Sequence, residues 1–116
     1  MKSRLAVVQM KAGMPTVAEA TRRLAVELES ARRRGVRLLK LVHGYGSTGV
    51  GGKLRGGLRR ALAQHQAAGR VARVVAGEEW SIFEEEARGL LESYPELSRD
   101  ADLDRGNAGI TLVELR

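Results

Sequence analysis

The 116-residue chain contains no cysteine and few aromatic residues. Without cysteine it can form no disulfide, no thiolate zinc site and no cysteine nucleophile, which fits a reducing cytosol without proving it. Aromatic residues are 3% of the chain, so the core has to be built from Leu, Val, Ile and Ala. No apolar run approaches the roughly 20 residues of a membrane-spanning helix, and the N-terminus lacks the apolar centre of a signal peptide. These absences predict one soluble, cytoplasmic domain with no membrane partner.

Acidic residues are missing from the centre of the chain. Residues 30–77 contain no Asp or Glu, whereas residues 78–104 carry ten acidic residues against two arginines. Ordinary protein surfaces mix the two signs, so a positive region of this density indicates a polyanionic partner. The alternative is a chain that is simply rich in arginine. The eleven central cations are Arg32, Arg33, Arg34, Arg37, Lys40, Lys53, Arg55, Arg59, Arg60, Arg70 and Arg73.

The order of apolar segments and turn residues predicts an α/β fold. Capping boxes at Thr16–Glu19 and Ser81–Glu84 mark the starts of the first and third helices. Alternating strands and helices predict helices packed on a largely parallel sheet, here a single-domain two-layer α/β sandwich of order β-α-β-α-β-(α)-β. The strands are expected at residues 5–10, 36–42, 70–76 and 110–115, and the helices at 17–34, 53–68 and about 81–93.

A glycine-rich run, which we call the glycine loop, follows the second predicted strand. It reads His43-Gly44-Tyr45-Gly46-Ser47-Thr48-Gly49-Val50-Gly51-Gly52 and leads into a basic segment that opens with Lys53. A strand that ends in such a turn and feeds a helix can direct backbone N–H groups at an anion, and glycine lets a phosphate approach closely. His43 is the one residue there that can exchange a proton near neutral pH. The chemistry of the chain is therefore expected at this loop.

The glycine loop fits two nucleotide-binding motifs poorly. Residues 44–49 match the dinucleotide fingerprint formally, but no acidic residue follows near 65–70 to hold a ribose, and the chain is short for such a domain. The phosphate-loop pattern fails because Ser47 stands at the first glycine position and Leu54 replaces Ser or Thr after Lys53. A nucleotide cofactor is therefore not expected.

Three segments together resemble the Smr (small MutS-related) domain family. They are His43-Gly44-Tyr45-Gly46, Leu54-Arg55, and Gly109-Ile110-Thr111-Leu112-Val113-Glu114-Leu115. The family shows a strand ending in His-Gly-x-Gly, a Leu-Arg pair opening the next helix, and a closing Gly-x-Thr-x-Val-x-Leu strand. The resemblance covers about residues 5–115 and implies a compact α/β sandwich similar to the C-terminal domain of a bacterial translation initiation factor. It also implies DNA or RNA binding, with endonuclease activity in several members.

The chain departs from the family pattern at two places. Family members carry Leu-Asp-Leu-His-Gly on the first strand, where this chain reads Val7-Val8-Gln9-Met10-Lys11. An enzyme that needs that acid and histidine for phosphodiester cleavage would have greatly reduced activity. Residues 77–107, which we call the acidic segment, look like an insertion into a single domain spanning 1–116. The acidic segment either folds over the basic surface and screens it or forms a solvated helix.

The site residues are assigned from the loop and the resemblance. His43 is expected to act as a general acid or base or to hold a phosphate, and the alternative is a structural histidine that fixes the turn. For the glycines of the loop the alternative is a flexible linker, and for the cations of the following helix it is a solvated basic helix face. The residues expected to contact nucleic acid are Gly44, Tyr45, Gly46, Gly49, Gly51, Gly52, Lys53, Arg55, Arg59 and Arg60.

Three functions follow as hypotheses. The first is a nucleic-acid-binding domain that contacts the phosphate backbone with little base readout, since aromatic stacking platforms are nearly absent. The second is a structure-selective endonuclease that uses His43, and the third is a protein-interaction module whose basic centre meets an acidic partner. No cofactor is predicted. The sequence does not determine whether the ligand is DNA or RNA, whether a divalent metal is required, or what the oligomeric state is.

Overall fold

The structure is a computed structural model that describes residues 5–44 and 50–116. Within them, strands and helices alternate in the order predicted from the apolar spacing. The strands are β1 (Leu5–Gln9), β2 (Leu38–Val42), β3 (Val71–Ala76) and β4 (Ile110–Leu115), and the helices are α1 (Val17–Arg33), α2 (Val50–Ala67) and α3 (Glu85–Ser93). Two short 3-10 helices, Gly77–Glu79 and Pro95–Arg99, flank α3.

The described strands form one mixed sheet in the order β1-β2-β4-β3. β1 and β2 are parallel, whereas β4 lies between β2 and β3 and runs antiparallel to both. The prediction of a mostly parallel sheet is therefore wrong. β1, β2 and β3 do share one direction, but β4 separates β2 from β3. β4 is buried at five of its six residues, which favours a central position where both of its edges are paired.

One face of the sheet, the helix face, is covered by α1 and α2. Alternate strand residues point to this face, among them Leu39, Leu41 and Val113. A Cβ at Gly57 would lie 2.4 Å from Val17 Cγ1, so the glycine lets the two helices approach closely. The buried helix residues of this face are Ala20, Leu24, Leu28, Ala31, Leu54, Leu58, Ala61 and Leu62.

The opposite face of the sheet, which we call the acid face, is covered by the acidic segment. Leu38, Val75 and Leu112 pack there against Trp80 and residues of and after α3. The prediction of a two-layer sandwich is therefore incomplete, because both faces of the sheet are covered. Trp80 is fully buried, as expected of a core residue, and its Nε1 donates to Asp100 Oδ2 at 3.0 Å.

A buried cation lies in the middle of the acid face. The Nζ atom of Lys40 is 2.7 Å from Asp100 Oδ1 and 2.6 Å from Asp102 Oδ2. Burial alone would lower the pKa of Lys40, but the hydrogen bonds and charges of the two carboxylates outweigh it and raise the pKa above its ordinary value. Asp102 also accepts from Asn107 Nδ2 at 2.9 Å, so the ion pair connects β2 to the segment that precedes β4.

The two predicted capping boxes have different outcomes. At the start of α1, the Thr16 hydroxyl accepts from the Glu19 N–H and the Glu19 carboxylate accepts from the Thr16 N–H, which confirms the first box. The second box is wrong, because α3 begins at Glu85. Asp104 accepts from the Ile82 N–H at 3.0 Å, and its own N–H donates to the Trp80 carbonyl at 2.8 Å. These bonds hold residues 80–82 in a turn instead of a helix.

In the described part of the chain, none of the helices has the length and apolar character that a membrane crossing requires.

Candidate nucleic-acid interface

The candidate site lies at the edge of the sheet where β1, β2 and β3 end. Because β4 runs the other way, its first residues meet the ends of the other three strands at this edge. The edge therefore brings together Lys11 after β1, His43 and Gly44 after β2, and Gly109 before β4. The first turn of α2, which contains no acidic residue, follows from the same edge.

A single backbone carbonyl fixes the start of the glycine loop. The N–H groups of His43 and Gly44 both donate to the Gly109 carbonyl, each at 3.0 Å. Gly44 has a φ of +79°, a backbone conformation that residues with a side chain rarely adopt, so glycine is required here. The Gly109 N–H in turn donates to Asn107 Oδ1 at 2.9 Å. The position of the loop is thus set by the segment that leads into β4.

His43 is buried, with 1% of its surface exposed, and both ring nitrogens have partners in the chain. Its Nδ1 lies 2.8 Å from the Gly44 carbonyl, and its Nε2 lies 2.8 Å from the Thr111 hydroxyl. Because a carbonyl only accepts, Nδ1 carries the proton and Nε2 accepts from Thr111. Burial, followed by the charges of Arg59 and Arg55, lowers the pKa of His43 and favours the neutral ring. In this geometry His43 connects β2 to β4, and its catalytic role stays a prediction.

Arg59 is held by β4 on one side and by an acidic side chain on the other. Its Nε donates to the Thr111 hydroxyl at 3.0 Å and its Nη2 to the Ile110 carbonyl at 3.1 Å. Nη1 and Nη2 also pair with both carboxylate oxygens of Glu78, at 3.0 and 2.8 Å. Hydrogen bonding to Arg59 is the main cause that lowers the pKa of Glu78. This predicted phosphate contact is therefore already paired within the chain.

The other predicted cations of α2 are available. Within residues 5–44 and 50–116, Lys53, Arg55 and Arg60 have no ion pair or hydrogen bond, and Lys53 and Arg60 are exposed. At 100° per residue, Gly52 and Gly56 fall between Arg55 on one side of the helix and Lys53 and Arg60 on the other. A Cβ at Gly52 would meet nothing within 4 Å. Cations thus flank the two glycines on both sides, and Gly52 is open to a ligand.

Lys11 is a site residue that was not predicted from the sequence. A Cβ at Gly44 would lie 3.6 Å from Lys11 Cδ and 3.8 Å from Lys11 Nζ, so the ammonium group sits beside the start of the glycine loop. The signal was the pairing of β1 with β2. The ends of two parallel neighbouring strands meet at one edge, which places Lys11 beside Gly44.

The structure does not describe all of the assigned loop. Tyr45, Gly46 and Gly49 lie outside the described residues, and Gly51 lies in the first turn of α2.

The second histidine of the chain, His65, lies on α2 away from the glycine loop. It is half-buried, and its Nδ1 accepts a hydrogen bond from Arg70 Nε at 2.9 Å.

The central cations do not form one patch. Arg32 and Arg33 pair with Glu29, and Arg73 pairs with Glu114 at 3.4 Å. Lys40 is paired on the acid face, as described above. Arg32 and Arg33 end the helix that leads into β2, so they lie towards the edge of the sheet opposite the site. Five of the eleven central cations are thus paired with carboxylates among the described residues, and Lys53, Arg55 and Arg60 are the unpaired cations that α2 presents at the site.

No group of three or more His, Asp or Glu side chains in the described ranges, 5–44 and 50–116, is placed to hold a metal ion.

The chain belongs to the Smr domain family, whose model matches residues 12–116. The family is known for nucleic-acid binding and endonuclease roles. Among solved structures, the chain is similar to the Smr domain of Thermus thermophilus MutS2, with 25% sequence identity and a TM-score of 0.57. That similarity covers 98% of this chain and 99% of the other. No curated protein matches the chain in sequence.

Proposed function

We propose that this Smr domain binds the sugar–phosphate backbone of DNA or RNA at the sheet edge formed by Lys11, Gly44 and the outward face of α2. The observation that carries the proposal is that three α2 cations on either side of Gly52 and Gly56 have no ion pair or hydrogen bond within residues 5–44 and 50–116. They are Lys53, Arg55 and Arg60. Most other cations of the central run are paired with carboxylates of the chain. Lys53, Arg55 and Arg60 therefore give this edge a positive charge that no described carboxylate neutralises.

The local electrostatics suit a phosphate. The first turn of α2 has no acidic residue, so the positive end of its dipole is not neutralised by the helix itself. Lys11 adds an exposed ammonium group beside Gly44. Contacts of this kind fix the position of a nucleic acid without reading its bases. The expected binding is thus tolerant of sequence and strongly dependent on salt.

The geometry gives the endonuclease alternative no separate support. A general acid or base must reach the substrate, whereas both ring nitrogens of His43 are bonded inside the chain. We therefore propose binding and treat cleavage as an outcome of the same assay.

The test is a salt titration with three matched proteins and short single-stranded DNA, duplex DNA and RNA. The site variant replaces Lys53, Arg55 and Arg60 by Gln. The control variant replaces Arg32, Arg33 and Arg34 by Gln. Both variants lose three charges, but the control positions are near the opposite edge of the sheet. On duplex DNA, the site variant is expected to bind roughly a hundredfold more weakly than wild type at about 0.1 M salt. The plot of log affinity against log salt concentration is expected to become shallower, its slope decreasing in magnitude by about 2 to 3.

Two results would contradict the proposal. The first is the absence of wild-type binding to all three nucleic acids at low salt. The second is an equal loss of affinity in the site and control variants, which would assign binding to overall charge. Parallel samples with magnesium or manganese are scored for cutting, and cutting that disappears in a folded His43→Ala protein would restore the endonuclease alternative.

A further inference from the structure

We propose that Glu78 occupies, in the free protein, a position on the Arg59 guanidinium that a phosphate of the bound nucleic acid takes over. The inference rests on the proposed function and adds a specific exchange to it. Arg59 would then be a second phosphate-binding position beside the unpaired cations of α2, covered by the chain's own carboxylate until nucleic acid arrives.

The guanidinium group is held in place without help from Glu78. Thr111 and Ile110 accept from Nε and Nη2 of Arg59, and both acceptors belong to the central strand β4. If Glu78 leaves, these two bonds keep the group in the same orientation. A guanidinium group fixed in this way binds an anion at a lower entropic cost than a mobile side chain does.

Carboxylate and phosphate make the same kind of contact with arginine. Glu78 pairs with two nitrogens of Arg59 through both of its oxygens, and two oxygens of a phosphate fit the same pair of donors. The side chains of Arg59 and Glu78 are 23% and 43% exposed, so water and ligand reach the pair. Solvent at the exposed Glu78 carboxylate weakens the pair, which makes it open to competition by a phosphate.

The exchange requires rotation of one side chain only. Within residues 5–44 and 50–116, the Glu78 carboxylate accepts hydrogen bonds only from Arg59 and from its own backbone N–H, so no third residue holds it. Its backbone is fixed, since a Cβ at the preceding Gly77 would lie 1.8 Å from the Asn107 carbonyl oxygen. Glu78 can therefore swing into solvent while the turn stays in place. Arg55, one turn before Arg59 on α2, contributes a second positive charge at the vacated position.

The experiment compares Glu78→Gln with Glu79→Gln. Both variants lose one negative charge from the same short helix, but Glu79 is exposed and has no ion pair or hydrogen bond in the described chain. If the exchange occurs, Glu78→Gln binds duplex DNA about fivefold more tightly than wild type, whereas Glu79→Gln changes affinity by less than about twofold.

The salt slope gives a second readout that a general charge effect does not produce. In wild type, the phosphate displaces the Glu78 carboxylate from Arg59. Because one anion replaces another, the Arg59 contact causes little net release of counterions from DNA and protein together. In Glu78→Gln, Arg59 keeps its bonds to β4 but has no carboxylate partner, and the log–log slope is expected to become steeper by up to about 0.9. Glu79→Gln is expected to keep the wild-type slope. Thermal melting of both variants checks that they are folded.

The outcomes separate the two proposals. If wild type and both variants fail to bind at low salt, the proposed function is wrong and this inference falls with it. If wild type binds but the two variants gain equally in affinity and share one slope, only the exchange is wrong. A gain confined to Glu78→Gln, with a steeper slope, supports it.

Discussion

The two faces of the sheet are held by different kinds of interaction. On the helix face, leucine and alanine side chains of α1 and α2 pack on Leu39, Leu41 and Val113. On the acid face, apolar packing around Trp80 is combined with a buried ion pair at Lys40 and a cross-strand pair between Arg73 and Glu114. The comparison shows where the acidic residues are used. Three of them compensate the strand cations Lys40 and Arg73 on the acid face, and Glu78 pairs with Arg59 of α2, whereas Lys53, Arg55 and Arg60 have no carboxylate partner among the described residues.

The strongest way to break the acid face is Lys40→Met. The substitution leaves the carboxylates of Asp100 and Asp102 close together, with 7% and 25% of their side chains exposed, and without their shared cation. We expect the free energy of unfolding to fall by about 3 to 5 kcal/mol, measured by urea denaturation at neutral pH. The exposed Lys53→Met is the control and is expected to change stability by less than about 0.5 kcal/mol. Similar values for the two variants would refute the compensating role of Lys40.

The helix face is tested by two neighbouring glycines of α2. Gly57→Ala is expected to destabilise the domain by about 1 to 3 kcal/mol, because the new Cβ overlaps Val17. Gly56→Ala is the matched control, since its Cβ would meet only Arg60 Nη1 at 3.4 Å. We expect that control to gain up to about 1 kcal/mol from its higher helix propensity. Thermal or urea unfolding of the pair checks both signs, and a stabilising Gly57→Ala would show that α1 and α2 are not closely packed there.

The smallest expected effect is the dependence of stability on acid pH through Asp102. Hydrogen bonds from Lys40 and Asn107 lower the pKa of Asp102 in the folded state. Its contribution to stability is therefore complete above the unfolded aspartate pKa of about 3.9 and is lost as pH falls through the lower folded value. Asp102→Asn is expected to cost about 1 to 2 kcal/mol at neutral pH, and its difference from wild type should shrink below about pH 4. Urea denaturation at several pH values measures this, and a pH-independent difference would count against the pairing.

Local sequence signals predicted the elements well. Short apolar runs bounded by turn residues located each strand to within two residues, and the reciprocal Thr16–Glu19 bonds, which depend on four adjacent residues, formed as expected. Helix α2 begins at Val50 instead of Lys53, so it takes in the end of the glycine loop. At Ser81 the same local motif failed, and the N–H of the next residue, Ile82, donates instead to Asp104, which lies 22 residues after Ile82 and outside the reach of a local motif.

Long-range features could not be predicted from one sequence. Nothing in the spacing of β4 states that it enters between β2 and β3, so the sheet was expected to be mostly parallel. The same limit applies to the charges. Lys40 and Arg59 belong to a run without acidic neighbours, and their partners Asp100, Asp102 and Glu78 come from a different part of the chain. The cationic centre was visible in the sequence, but which of its members are paired depends on the tertiary fold.

The place of β4 in the sheet has a consequence for biosynthesis. Among the described strands, β2 and β3 are joined only through β4, which is the last of them to leave the ribosome. β1, α1 and β2 can associate earlier, but among the described strands β3 has no strand to pair with until residues 110–115 emerge. Gly109 and Thr111, which hold His43 and Arg59, arrive at the same moment. A nascent chain therefore acquires its sheet and its anion-facing edge in one late step.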